Sequence, residues 1–120
     1  MGPRLLLPSI ALMLTLGVMS AAQQPPFSVR ITSPVDDGYI SGPMRLVAVI
    51  EPASAVRQIK EVVFFADAHK VCTVTKPPFQ CDWDAGDQIV QHTVRVTAEL
   101  SQGGRAVATV HTRGVKFAEA

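Results

Sequence analysis

Cys72 and Cys81 are the two cysteines of the chain, and thiols at this spacing have three possible uses. A redox pair requires a lowered pKa and CxxC-like proximity, which VCTVTKPPFQC does not offer. A structural disulfide requires two strands that bring the side chains together. Symmetric pairing about the Lys76-Pro77 turn would place Cys72 opposite Cys81, so a disulfide is the reading adopted. Metal binding is the third use. Asp82-Trp83-Asp84-Ala85-Gly86-Asp87 spaces carboxylates like part of a calcium loop, but calcium takes about six to eight oxygens and the terminal Glu of an EF-hand is missing. The segment reads instead as a turn whose Asp side chains accept bonds from nearby backbone N–H groups. His69, His92 and His111 have no metal spacing, and a zinc site needs about three or four converging ligands. We assign no metal and no cofactor. No G-x-S-x-G elbow occurs, and Gly103-Gly104 belongs to a hairpin rather than a phosphate loop, so no enzymatic activity is expected.

These residues sit in a chain with an address. Met1 to Arg4 supplies one positive charge, Leu5 to Met19 is uncharged and largely apolar, and Ser20-Ala21-Ala22 offers small residues to a signal peptidase. Residues 1–22 read as a signal peptide and 23–27 as a linker. A retained membrane anchor is the alternative, but a spanning helix needs about 20 apolar residues, and Pro8 and Gln23-Gln24 leave this one short. Outside the inner membrane two cysteines favour the bonded form. The full chain carries 11 Lys+Arg and 10 Asp+Glu, so removal of Arg4 balances the charge. That balance argues against nucleic acid or an anionic membrane as partner, and residues 23–120 have the size of one small domain.

The elements that must position these residues alternate with period two, and no helical period persists. Phe27, Val29 and Ile31 form one face of a first strand, and Met44, Leu46, Ala48 and Ile50 that of a second. Pro52 to Gln58 is a connection in which Ala55 to Gln58 can make a helical turn. Ile59 to Asp67 turns at Ala68-His69 into Lys70 to Thr75. Phe79, Cys81 and Trp83 share a face. Gln91 to Leu100 alternates, Ser101 to Gly104 is a hairpin turn, and a last strand runs from Arg105 to about Phe117 with a bulge at Gly114. The fold class is all-β, an antiparallel β-sandwich of roughly seven to eight strands. Val62, Phe64, Phe79, Trp83, His92, Val94 and Val96 are assigned to the core. Val47, Val49, Val63 and Phe65 fall on outward faces and form a candidate interaction surface.

The order Val62-Val63-Phe64, Asp67, Pro77-Pro78-Phe79, Trp83-Asp84 resembles the bacterial immunoglobulin-like domains of secreted and cell-surface proteins. Ile31-Thr32-Ser33-Pro34 with Gly38 and Ile40-Ser41-Gly42 looks like that family's opening, and His92-Thr93-Val94 through Ala98 like a later motif. The chain departs from the pattern at Ala68, where a turn Gly is usual, at Glu99, where an Asp is common, and in its cysteines. The resemblance implies an immunoglobulin-like domain over residues 28–118, with His92 packed and hydrogen-bonded where its strand begins. Val110 to Phe117 also looks like the joint to a von Willebrand factor A-like domain, although no D-x-S-x-S motif occurs in the chain. The expected role is an exported, non-catalytic spacer or interaction module, secreted, periplasmic or on the cell surface. Its partner would be a protein or a neighbouring domain, with no membrane contact after cleavage. A carbohydrate-binding accessory domain is the alternative; similar domains accompany glycan-degrading enzymes, and Tyr39 and Phe65 are the rings available for it.

Overall fold

The computed structural model describes residues 27–116. The expected signal peptide, residues 1–22, most of the expected linker and the stretch from Phe117 lie outside the described residues. Seven strands follow in order: β1 Ser28–Ser33, β2 Pro43–Glu51, β3 Ile59–Ala66, β4 His69–Val74, β5 Gln80–Asp84, β6 Thr93–Leu100 and β7 Arg105–His111. A 3-10 helix, Ala53–Gln58, links β2 to β3. The strands make two antiparallel sheets, β1-β2-β5 and β4-β3-β6-β7, which is an immunoglobulin-like sandwich. Tyr39 contributes a single parallel bridge to Arg113 rather than an eighth strand.

Alternation along each strand decides what is buried. Val29, Ile31, Leu46, Ala48 and Ile50 line the inner face of the smaller sheet, opposite Val62, Phe64, Val94, Val96 and Ala98 of the larger. Phe64, Leu46, Val62, Val94 and Val96 are fully buried, and each such side chain stabilises the fold by about 1.5–3 kcal/mol. Phe79 joins this core from just before β5, and its carbonyl accepts from Ala48 N–H at 2.9 Å.

The connection around Lys76-Pro77 departs from the sequence expectation. β4 and β5 are not a hairpin; β4 is the edge of the larger sheet and β5 the edge of the smaller. Cys72 stands opposite Phe64 and Cys81 opposite Leu46, both inward positions, so the two thiols converge between the sheets. They are bonded, with their Cα atoms 6.7 Å apart, and the disulfide links the two sheets along that open edge.

Three further corrections follow from the backbone. The β3–β4 turn uses Asp67 and Ala68, both at positive φ (50° and 70°), as a two-residue hairpin demands. β7 ends at His111, and Gly114 marks a close approach rather than a bulge: a Cβ there would lie 3.0 Å from Gln91 N and 3.3 Å from Val90 Cα. Trp83 is half-buried on edge strand β5, packed against the core rather than enclosed in it, because no further strand covers its outer side.

Candidate functional site

The candidate surface residues do not form one surface. Val47 and Val49 face outward from β2, in register with Gln80 and Arg30, while Val63 and Phe65 face outward from β3 on the opposite side of the sandwich. The 3-10 helix carries the chain across between the two. Val63, moreover, is only 7% exposed. It lies on a central strand between Thr73 and Thr97, at the floor of a shallow depression rimmed by Lys70, Arg95, Glu99 and Arg105, whose long stems screen it. Phe65 is half-buried, with the Arg95 guanidinium 4.6 Å from its ring centroid. Val107 on β7 is the open apolar residue of this face, 53% exposed.

A polar cluster joins strand ends at one pole. Asp67 Oδ2 lies 2.6 Å from His92 Nδ1, and Asp67 Oδ1 accepts from Thr93 N–H at 2.9 Å. Partial burial pushes the Asp67 carboxyl up, but the bonds from His92 and Thr93 N–H and the charges of His92 and His69 outweigh it and hold the carboxyl below its ordinary range. An ionised carboxylate only accepts, so His92 Nδ1 carries the hydrogen. His92 is itself buried; its backbone N–H donates to Thr112 Oγ1 at 2.9 Å, and its ring meets Trp83 edge-on at 5.0 Å.

This Asp–His pair has the orientation of two members of a hydrolytic triad. The third position is not filled, since His92 Nε2 is buried with no hydrogen-bond partner among the described residues. The cluster ties the end of β3, the start of β6 and the segment after β7 together. At the neighbouring turn Asp84 Oδ1 accepts from Gly86 N–H at 2.8 Å, and Asp82 Oδ1 pairs with Arg45 Nε at 3.1 Å. Among the described residues no three His, Cys, Asp or Glu gather as a metal site. Buried Thr112 was missed from sequence, because its bond to His92 spans 20 residues.

A model of the bacterial Ig domain family matches residues 28–98, more than half of the chain. The chain belongs to that family. This bacterial Ig domain is also similar in fold to the fibronectin(III)-like modules of CbhA from Clostridium thermocellum, at 20% identity and a TM-score of 0.57, over 76% of this chain and 99% of that one. No curated protein sequence matches it. Family and fold are consistent with a non-catalytic module.

The poles of the bacterial Ig domain differ. Ser28 pairs with Glu51 beside the 3-10 helix, so the chain enters the sandwich at that pole. It leaves at the other, where Arg113 N–H donates to Gly38 O at 2.8 Å and Val115 N–H to Ile89 O at 2.9 Å. Exposed Val35, Tyr39, Val90 and Val115 collect in the loops of this exit pole.

Proposed function

We propose that this bacterial Ig domain is an exported, non-catalytic module that acts as a spacer and docks a neighbouring domain or protein. Residues 1–22 serve as a cleaved signal, 23–27 as a linker and 28–118 as the domain, acting outside the cytoplasm. The observation that carries the reading is the separation of the poles. A chain that enters beside Ser28 and leaves beside Val115 crosses the length of a nine-residue strand, about 30 Å, as a bead on a string does. The apolar side chains at the exit pole supply a surface on which a second body would bury area. A von Willebrand factor A-like domain is the specific neighbour that the Val110 to Phe117 resemblance favours.

Carbohydrate binding is the second reading, favoured by one observation. Half-buried Trp83 lines a shallow groove with Pro43, Met44, Arg45, Asp82 and Asp84, and an aromatic ring beside polar groups suits a sugar. The Arg45–Asp82 pair on that groove already satisfies part of its polar capacity.

N-terminal sequencing of the exported protein tests the address, and Gln23 is the expected first residue. An intact Met1 chain kept in the cytoplasm overturns it. Reproducible turnover of ester, glycoside or peptide substrates by the purified protein overturns the non-catalytic role.

A further inference from the structure

The outer face of the larger sheet carries a row of side chains that a plain spacer does not use. Register sets Lys70 and Arg95 on either side of Phe65. Neighbouring strands lie about 4.8 Å apart, so the two cations rise from backbone positions about 10 Å apart across one ring. The Arg95 guanidinium carbon lies over the Phe65 ring, 4.6 Å from its centroid, and this cation–π contact holds the group on the outer face while its planar fork of N–H donors remains available to a ligand. Among the described residues neither Arg95 nor Lys70 forms an ion pair. The acids near them are committed or distant. Asp67 spends both oxygens on His92 and Thr93. Glu99 lies four residues along β6, about 13 Å away, and faces Arg105 across the ladder.

We infer that the Lys70–Phe65–Arg95 row binds a side-chain carboxylate from an acidic segment of a protein partner. The carboxylate takes paired N–H bonds from Arg95 and the charge of Lys70, and an adjacent apolar side chain rests on Val107. Charge complementarity selects this occupant: two cations without an ion-pair partner among the described residues flank one aromatic ring, and the guanidinium fork of Arg95 matches a carboxylate. The inference rests on the reading of this domain as an interaction module and names the chemistry of one partner.

The test is titration of the full chain with an oligoglutamate peptide at low and moderate salt. Arg95→Gln is expected to weaken binding about tenfold, Arg95→Lys to fall between, and Arg57→Gln, on the 3-10 helix at the far pole, to change nothing. All four proteins should melt at the same temperature, since these side chains are exposed; if Arg95→Gln does not, Lys70→Gln carries the same expectation. Equal binding by Arg95→Gln and the parent, no binding by the parent, or tighter binding of an oligogalacturonate than of oligoglutamate each overturns the proposal. Export and cleavage are measured separately, so a failure here is distinguishable from a failure of the spacer role.

Discussion

Asp67 and His92, 25 residues apart in sequence, meet at 2.6 Å, and through them the β3–β4 turn is fastened to the start of β6. The same carboxylate takes the N–H of Thr93, so one side chain satisfies two donors at a strand end where the ladder runs out.

Because the Asp67 carboxyl is held below its ordinary value of 3.8, the folded state binds its proton less readily than the unfolded chain does. Its contribution to stability is therefore complete above the unfolded pKa and is lost as pH falls through the folded one. Urea titrations from pH 6 down to pH 2 should show a falling acid limb that Asp67→Asn flattens. Asp67→Ala should cost about 1 kcal/mol at neutral pH, a modest figure because the carboxylate is half exposed.

Reduction of Cys72–Cys81, or replacement of both by Ser, should cost about 2–3 kcal/mol in the chain-entropy account of so short a loop. The bond joins edge strands of different sheets, so amide exchange should accelerate first in β4 and β5. Non-reducing mass spectrometry of protein purified without reductant checks the bond itself, and two free thiols there would remove it from this account.

The turn and the exit segment respond in opposite directions. Ala68 sits at φ 70°, where a Cβ is strained, and Ala68→Gly should stabilise by about 0.5–1 kcal/mol. Gly114→Ala drives a Cβ against the backbone of Val90 and Gln91 and should cost about 1–3 kcal/mol. Thermal melts of the two variants, one above and one below the parent, check both.

Phe64 and Phe65 are neighbours with opposite fates. Phe64→Ala removes a fully buried ring and should cost about 3–5 kcal/mol. Phe65→Ser uncovers only a half-buried one and should leave the domain folded at a cost of about 1 kcal/mol. Denaturant midpoints separate them.

These pairs show what alternation can and cannot convey. Period two told Phe64 from Phe65, because successive side chains on a strand face opposite sides, and it ordered Val29, Leu46, Val94 and their neighbours into inner faces. It carries no information on which strands share a sheet. Lys76-Pro77-Pro78 looks like a hairpin turn whether the chain returns along β4 or crosses to β2, and here it crosses. Nor does facing outward mean exposure: Val63 faces out and is covered by its neighbours' long side chains. Contacts such as Asp67–His92 and Phe65–Arg95 depend on register across 25 and 30 residues, which local spacing does not encode; only the family resemblance drew notice to His92.

The inter-sheet disulfide also bears on how the molecule would behave under tension. A pull between the two ends arrives through β1 and β7, while Cys72 and Cys81 lie at the opposite margin, nine positions apart. Once the sheets part, the intervening segment stays locked behind the sulfur bridge. In an oxidising medium the stretched thread is about 25 Å shorter than its residues allow, and a reductant returns that length.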